Sequence, residues 1–321
     1  MLIIYTHEDI YRKILRTPYE DGLRTLKVLS GYASAAFVYH FLDEFPDVNL
    51  ELTIGMAKKD GINTWNHQEF VKMTKESTNI KIYYYTGAPP IHIKALLWEN
   101  QLLIHESQAF IGSANFSWNG FRDHQELMTK VDSIKVNEII SNTTERIECV
   151  DSNVEEYIKL HYIRTDSLKK APKQENATLG NFDEELPFVD LSLKISGKNE
   201  IHEKSGLNWG QRERREHNQA YIPVSTRFNK INPDFFPNVK EEFTIITDDN
   251  ESLVCVMAQA NRKAIHTCRN NSILGKYFRR RLGVPLGSKV KVSDLENYGR
   301  DYVRMYKIDN ETYFMDFKSL Q

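Results

Sequence analysis

Residues 91–98 read Ile-His-Ile-Lys-Ala-Leu-Leu-Trp, and residues 109–115 read Ala-Phe-Ile-Gly-Ser-Ala-Asn. The alternation in the first stretch predicts a β-strand that carries His92 and Lys94 on one face and apolar side chains on the other. The second stretch predicts a strand that ends in small residues, where Gly112 lets the backbone come close to a ligand. An imidazole, an ammonium group and the short polar side chains of Ser113 and Asn115 are suited to binding a phosphate.

The order of these residues resembles the signature of the phospholipase D superfamily, which is His-x-Lys, a spacer and Gly-Ser-x-Asn. Glu126 stands eleven residues after Asn115, where nuclease members of the superfamily carry a carboxylate. The chain departs from many members at Glu99, which replaces an Asp, and in a longer spacer, which predicts a longer hairpin around 99–101. Either half of the signature alone also occurs in ordinary turns and strands. Both halves in order, with a downstream Glu, favour a catalytic site.

The resemblance implies a mechanism and an assembly. In the superfamily two copies of the motif face each other, so that one His attacks phosphorus and the other protonates the leaving oxygen. This chain carries one copy, which implies a homodimer through the N-terminal domain with a composite active site. His92 is then the nucleophile in one subunit and the general acid and base in the other, and no metal or other cofactor is expected. The expected supporting roles are charge stabilisation by Lys94, Ser113 and Asn115, and orientation of the imidazole by Glu126.

The whole chain has an ordinary globular composition. Its 321 residues suffice for two domains with separate cores, and its net charge of -2 means that a nucleic-acid surface requires local clusters of basic residues. The three cysteines, Cys149, Cys255 and Cys268, form no Cys-x-x-Cys pair, which fits the cytoplasm rather than a disulfide framework or a zinc knuckle. The first residues lack a basic signal-peptide region, and no apolar run reaches membrane-spanning length, so no membrane partner is expected.

The first half of the chain alternates strand and helix patterns. This alternation predicts an α/β fold, a mixed sheet flanked by helices on both faces. The predicted strands are 25–31, 50–56, 80–85, 92–98, 101–105, 109–111 and 126–131. The predicted helices are 35–45, 64–76 with Thr64 as N-cap, and 133–149.

A polar stretch with little periodicity predicts a linker over 166–185, between a domain at 1–165 and a domain at 186–321. The second domain shows evenly spaced short strand patterns, which are typical of a small barrel or sandwich. Its predicted strands are 188–195, 219–224, 242–247, 252–259, 289–292, 302–308 and 311–317.

Two clusters of basic residues in the second domain predict contact with double-stranded DNA. Lys and Arg neutralise phosphates, and Arg and Asn also read guanine and adenine edges. The candidate contact residues are Asn208, Trp209, Gln211, Arg212, Arg214, Arg262, Lys263, Arg269, Asn270, Asn271 and Lys276. The run Arg279–Arg281 has a second interpretation, a helix end that packs beside the barrel and pairs with acidic neighbours.

Five further strings, at 206–211, 218–223, 243–249, 274–283 and 298–300, are similar to the C-terminal domain of NgoFVII-type restriction endonucleases. Those enzymes join a phospholipase-D-like nuclease domain to a pseudobarrel that resembles the plant B-three DNA-binding domain. The resemblance implies a type II restriction endonuclease in which two loop arms grip the major groove. By position the arms are 208–215 and 262–281. A cognate methyltransferase and a separately encoded ATPase are the further partners that it implies.

Three other functions are compatible with parts of the pattern. A nonspecific phospholipase-D-like nuclease would keep the site without the sequence preference, and a DNA-binding regulator would keep the second domain beside an inactive nuclease domain. A true phospholipase should show an apolar interfacial surface and usually two motif copies. The common metal-dependent restriction signature is incomplete, because Pro46-Asp47 is followed by Glu51-Leu52-Thr53 without the Lys.

Overall fold

An eight-stranded mixed sheet organises the first of the two units into which the chain divides, between Tyr162 and Ile163. The computed structural model describes residues 4–100, 106–161 and 186–320. The strands of the first unit are β1 (Ile4–Thr6), β2 (Thr25–Ser30), β3 (Asn49–Ile54), β4 (Ile62–Asn63), β5 (Ile80–Tyr85), β6 (Ala95–Glu99), β7 (Gln108–Gly112), β8 (Leu127–Val131), β9 (Arg146–Glu148) and β10 (Leu160–His161). Its α-helices are α1 (His7–Tyr11), α2 (Thr17–Glu20), α3 (Ala35–Glu44), α4 (Ala57–Asp60), α5 (Thr64–Glu76), α6 (Ser133–Ser141) and α7 (Val154–Tyr157).

The large sheet has the order β1-β8-β7-β6-β2-β3-β5-β9, in which β2, β3 and β5 are parallel and the other neighbours are antiparallel. Adjacent residues of β6 show that helices cover both faces. Leu97 lies in the core formed with α6, whereas Trp98 contacts Phe41 of α3, with ring centroids 6.3 Å apart. The predicted mixed sheet with helices on both faces is therefore confirmed. The predicted strand 101–105, residue 101 of the predicted hairpin and the predicted linker lie outside the described residues.

Two predictions about helix boundaries are wrong. Asn63, not Thr64, occupies the N-cap position of α5, and the hydroxyl of Thr64 donates to His161 O at 2.8 Å, which ties α5 to β10. The long helix predicted over 133–149 ends at Ser141, and in the turn that follows the hydroxyl of Thr143 donates to Ile139 O at 3.0 Å. Residues after this turn form β9, an edge strand antiparallel to β5.

The second unit is built on a seven-stranded sheet that curls into a nearly closed barrel, with the end strands β11 and β12 in contact. The order is β11-β16-β17-β13-β14-β15-β12, and every pair is antiparallel except β13 with β17. The strands are β11 (Phe188–Ser192), β12 (Ile222–Pro223), β13 (Glu242–Thr247), β14 (Ser252–Ala258), β15 (Ala264–Thr267), β16 (Tyr302–Lys307) and β17 (Thr312–Asp316). The α-helices are α8 (Thr226–Ile231), α9 (Ser272–Leu282) and α10 (Val292–Tyr298). The predicted pseudobarrel is confirmed.

The sequence does not predict α8 or α10, and of α9 it indicates only a helix end at Arg279–Arg281. Helix α9 buries Leu274, Tyr277 and Phe278 in the barrel core and ends at Gly283, whose φ of 67° is in the left-handed region that favours glycine. The predicted strand 289–292 is wrong, because this stretch leads into α10 with Val290 buried against the core. Among the described helices of both units, none is long and apolar enough to cross a membrane.

Candidate functional site

The segment that carries His92 and Lys94 lies just before β6, which begins at Ala95 rather than at His92. Backbone hydrogen bonds hold it on both sides, from Ile91 N to Gly55 O at 3.2 Å and from Gly112 N to Lys94 O at 3.1 Å. The two side chains meet, as the sequence predicts. Lys94 Nζ lies 3.0 Å from each ring nitrogen of His92 and 2.9 Å from its carbonyl oxygen.

The electrostatic environment favours a neutral imidazole. His92 is exposed at the surface, whereas Lys94 is only 6% exposed. Partial desolvation, and then the positive charge of Lys94, lower the pKa of His92, while the carboxylate of Asp60 opposes the shift. Burial also lowers the pKa of Lys94, and the charge of Glu126 opposes that shift. A neutral imidazole keeps a lone pair for attack on an electrophile such as phosphorus.

Asn115 lies on the other side of the imidazole, next to the carboxyl end of β2. Its Oδ1 accepts a hydrogen bond from Tyr32 N at 3.2 Å, which orients its amide N–H groups as donors for a ligand. Gly31 lies between the two side chains, since a Cβ on it would stand 2.9 Å from His92 Cδ2 and 3.3 Å from Asn115 Oδ1. Gly31 belongs to the site although the sequence analysis did not select it. A glycine at the last position of the predicted strand 25–31 is its only signal in the sequence.

Ser113 and Glu126 form a second pair of the site. The hydroxyl of Ser113 donates to the Glu126 carboxylate and accepts from Leu127 N at 3.0 Å. Glu126 Oε1 also lies 4.0 Å from His124 Nδ1. The predicted contact of Glu126 with the imidazole of His92 is not made within the chain, where the ring nitrogens of His92 contact Lys94 instead.

Gly112 is needed for strand packing rather than for close approach of a ligand. A Cβ on Gly112 would lie 2.0 Å from Leu127 O and 2.6 Å from Met128 Sδ, so the neighbouring β8 occupies that space. Among the described residues there is no group of three or more His, Cys, Asp and Glu side chains arranged to hold a metal ion. The site therefore offers imidazole, ammonium, amide and hydroxyl groups, a set that suits an anionic ester.

Two of the predicted DNA-contact residues bond to backbone groups of the barrel domain, Asn208 in its interior and Gln211 at a half-buried position. Asn208 is fully buried, and its amide donates to Val290 O and accepts from Val290 N, both at 2.8 Å. Gln211 Nε2 donates to the carbonyl oxygens of His217 at 3.0 Å and Gly287 at 3.1 Å. Both side chains fix loops, and Asn208 in particular is unavailable to DNA.

A third candidate, Arg262, stands in a strained turn. Gln259, Asn261 and Arg262 have φ values of 64°, 62° and 54°, a conformation that non-glycine residues rarely adopt. Arg262 Nη1 donates to Pro233 O at 2.7 Å and to Phe236 O at 2.8 Å, so the guanidinium holds the turn in place. This use of Arg262 is structural.

The remaining candidates are at least partly exposed, and they are Trp209, Arg212, Arg214, Lys263, Arg269, Asn270, Asn271 and Lys276. Some are tethered to the backbone, as Arg212 is through Nε to Lys204 O at 2.7 Å. The two predicted arms meet where Trp209 approaches His266 of β15, with ring centroids 6.1 Å apart. The barrel thus presents basic and aromatic side chains of both arms near one another.

Arg215 is an ordered surface cation that the candidate set omitted. Its guanidinium carbon lies 4.0 Å from the centre of the Trp209 ring, and its Nη1 donates to Gln219 Oε1 at 3.0 Å. These contacts hold the planar group in one orientation. Nothing in the sequence separates Arg215 from its neighbour Arg214, since both stand in the same basic run.

The contacts of Arg279–Arg281 agree with the second interpretation of this run, a helix end that packs beside the barrel. Arg279 is fully buried and donates to backbone carbonyls, including Ser288 O at 2.8 Å and His217 O at 3.2 Å. Arg280 pairs with Glu251 at 2.7 Å, and Arg281 pairs with Asp248 at 2.7 Å. The expectation of acidic partners is correct for Arg280 and Arg281, while Arg279 is held by carbonyl oxygens.

Comparisons with known proteins agree with the division of the chain into two units. A family profile described as the NgoFVII restriction endonuclease N-terminal PLD domain matches residues 8–156. A second profile, described as the NgoFVII C-terminal B3-like DNA-binding domain, matches residues 182–309. A search of curated proteins finds no significant match.

Several solved structures align with about half of the chain. NucT from Helicobacter pylori is 13% identical, with 46% of this chain and 98% of that chain covered and a TM-score of 0.32. Nuc from Salmonella typhimurium, a phospholipase D family member, is 9% identical, with 46% and 98% covered and a TM-score of 0.31. Phosphatidylserine synthase from Haemophilus influenzae is 8% identical, with 50% and 43% covered and a TM-score of 0.35.

The two profiles describe the two halves of one family of enzymes, and they match this chain in the same order. Each match coincides with one of the two units, an α/β domain and a nearly closed barrel. The chain therefore belongs to the NgoFVII restriction endonucleases, nucleases that join a phospholipase-D-like domain to a B3-like DNA-binding domain.

Proposed function

We propose that this protein is a type II restriction endonuclease that cleaves double-stranded DNA at a specific sequence, through a phosphohistidine intermediate, without a metal ion. The observation that carries the proposal is the contact of His92 with Lys94, next to Asn115 and open to solvent. A nucleophile, a cation and an amide donor are the groups that phosphoryl transfer needs around one phosphate. The proposed location is the cytoplasm, where the substrate DNA lies.

The proposed reaction has two displacements at phosphorus. In the first, the neutral imidazole of His92 attacks, the bond from phosphorus to the leaving deoxyribose oxygen breaks, and His92 of the partner subunit donates a proton to that oxygen. In the second, the same imidazole of the partner subunit takes a proton from water, the water oxygen attacks phosphorus, and His92 leaves. Lys94, Ser113 and Asn115 stabilise the negative charge on the non-bridging oxygens. The lowered pKa of His92 supports its role as the attacking base.

The proposed dimer follows from the incomplete chemistry of one subunit. A single His92 cannot attack phosphorus and protonate the leaving group in the same step, so the site needs a second imidazole. Three large apolar side chains that neighbour His92, Gly112 and Glu126 in the sequence are exposed to water: Ile93 by 42%, Ile111 by 36% and Leu127 by 50%. The alternation of β6, β7 and β8 places them on the face of the sheet that α6 covers elsewhere. A second copy is the proposed cover of this apolar rim.

The proposed substrate follows from the barrel domain. The net charge of the chain is close to zero, so attraction to DNA must come from the exposed cations of the two arms. Lys263, Arg214 and Lys276 are the proposed phosphate contacts, because they are exposed. Arg215 is the proposed base contact, because its guanidinium is already oriented by Trp209.

The proposal is tested by incubating the purified full-length protein with plasmid DNA in excess EDTA. The expected result is a set of discrete fragments from the wild type and intact plasmid with His92→Ala, which still shifts DNA on a gel. The solution mass of the active protein should be that of a dimer. Strict dependence on added magnesium, or cutting by His92→Ala, would contradict the proposed chemistry.

The same experiment separates the alternatives. A smear of fragments would indicate a nonspecific nuclease, and a gel shift without cutting would indicate a DNA-binding regulator. If cutting requires a separately encoded ATPase, the wild type should cut only after that partner and ATP are added, and His92→Ala should then remain inactive. The polar groups around His92 favour the nuclease over the regulator, because a regulator has no use for them.

A further inference from the structure

Tyr32, just after β2, contacts both sides of the candidate active site. Its backbone N–H donates to Asn115 Oδ1 at 3.2 Å. Its ring meets the imidazole of His92 edge to face, with centroids 5.9 Å apart and an interplanar angle of 78°. One residue outside the phospholipase-D-like motif thus touches two residues inside it.

The hydroxyl of Tyr32 is anchored in turn. It donates to Asp60 Oδ2 at 2.5 Å, at the end of α4. Burial, and then the hydrogen bond to Asp60, raise the pKa of Tyr32 to about 12, so the phenol keeps its proton and remains a donor at neutral pH. The orientation of the Tyr32 ring is therefore set by Asp60.

Asp60 is itself held by the chain that follows it. Asp60 O accepts from His161 Nε2 at 2.7 Å, and Asp60 N donates to Met56 O at 2.9 Å. Gly61 has a φ of 77°, and a Cβ there would stand 2.3 Å from His161 Nε2, so the turn closes tightly on the histidine. The carboxylate thus projects from a fixed position towards the site.

We propose that Tyr32 and Asp60 are positioning residues for His92: the ring of Tyr32, anchored by the carboxylate of Asp60, limits rotation of the imidazole. This inference rests on the proposed function, in which His92 is the nucleophile and the general acid. The imidazole must face phosphorus to attack it, so rotation of the side chain out of that orientation lowers the cleavage rate. Asp60 also offsets the charges of Lys94 and Lys59, which both lower the pKa of His92.

The test uses single-turnover cleavage by the full-length protein, with DNA affinity and thermal midpoint measured for every variant. Tyr32→Ala should slow cleavage by about tenfold to a hundredfold at unchanged DNA affinity, as expected for a misoriented catalytic group. Tyr32→Phe keeps the ring and loses the anchor, so its rate should fall less than that of Tyr32→Ala, and its pH profile should stay in place.

Asp60→Asn should change the pH profile instead. The charge of Asp60 raises the pKa of His92, so Asp60→Asn should lower that pKa. Both limbs of the pH–rate profile are assigned to the two His92 imidazoles of the proposed dimer, so both limbs should move to lower pH. A matched control is Tyr19→Phe. The hydroxyl of Tyr19 donates to Asp47 Oδ1 at 2.7 Å in the same domain, near the amino end of β3, away from His92.

The inference is overturned if Tyr32→Ala and Asp60→Asn cut at the wild-type rate with the wild-type pH profile while His92→Ala is inactive. It is also overturned if the variants lose rate only in proportion to their loss of folded protein, as a purely structural pair would. Should Tyr32→Ala fail to fold, Tyr32→Phe and Asp60→Asn decide the matter. Cutting by His92→Ala would instead remove the proposed function itself, so the two failures are distinguishable.

Discussion

Lys94 in the nuclease domain and Arg279 in the barrel domain are both cations with little or no exposed surface, but their surroundings differ. The ammonium of Lys94 contacts one imidazole and one carbonyl and borders solvent through the exposed His92. The guanidinium of Arg279 is enclosed by backbone carbonyls, among them Ser288 O and Gly275 O. Lys94 therefore has one of its three N–H donors left for a ligand, whereas Arg279 uses its donors to hold the loops around α9.

Burial lowers the pKa of both groups, so burial alone does not distinguish a functional cation from a structural one. What differs is whether the surrounding protein already satisfies the donors. An incompletely satisfied buried cation is costly unless a ligand completes its contacts. Removing the charge of Arg279 should therefore lower stability, whereas removing the charge of Lys94 should lower the cleavage rate.

The largest effect is expected for Arg279→Met. Each orphaned buried carbonyl costs about 1–3 kcal/mol, so the free energy of unfolding should fall by at least about 3 kcal/mol. Chemical denaturation followed by tryptophan fluorescence measures the loss, and DNA binding should disappear only as the protein unfolds. Wild-type stability of Arg279→Met would mean that the carbonyls find other donors and that the guanidinium is dispensable.

Lys94→Met should leave the fold intact and lose catalysis. The rate constant for cleavage should fall by about 10²–10³, equivalent to about 3 kcal/mol of transition-state stabilisation. The free energy of unfolding should stay the same or rise, since an apolar side chain of similar length replaces a buried cation. Single-turnover kinetics and thermal denaturation of the same preparation give both quantities. A destabilised but normally active Lys94→Met would reverse the comparison.

A smaller contrast is expected between two arginines of the arms. Arg215→Ala should cost about 1–3 kcal/mol in binding and relax the preference at one base pair. Arg262→Ala should lower the stability of the barrel, because Arg262 donates to the carbonyls of Pro233 and Phe236. Selection from a randomised duplex library followed by titration on single base-pair variants measures the first effect. Uniform weakening on every sequence would make Arg215 a phosphate contact.

The juxtaposition of the candidate site residues can be predicted from the sequence where their spacing is local. His92 and Lys94 stand two apart, and Ser113 and Asn115 end a strand, so strand periodicity and the family resemblance suffice to bring them together. Gly31 is not predicted as a site residue, because it comes close to His92 only through the pairing of β2 with β6. The fold of the first domain was equally readable, except that a polar turn inside a helical pattern separates α6 from β9.

DNA contacts of the barrel domain are harder to predict, because some of its basic residues are exposed and others are buried as hydrogen-bond donors to the backbone. In sequence Arg279 looks like any arginine at the end of a helix, and only the tertiary structure buries it. The sequence indicates a helix end at Arg279–Arg281 but not the start of α9 at Ser272. The hydrogen-bonding amide of Asn208 suggests a contact with DNA in the sequence, whereas in the structure that amide bonds to the backbone inside the domain.

The stereochemical course at phosphorus tests the central claim, nucleophilic attack by His92, most directly. A duplex with a phosphorothioate of known configuration at the cleaved bond would be cut in ¹⁸O-labelled water, and the configuration of the product determined. Each in-line displacement inverts phosphorus, so attack by His92 followed by attack of water should give net retention. Net inversion would show a single displacement by water and would contradict the phosphohistidine intermediate.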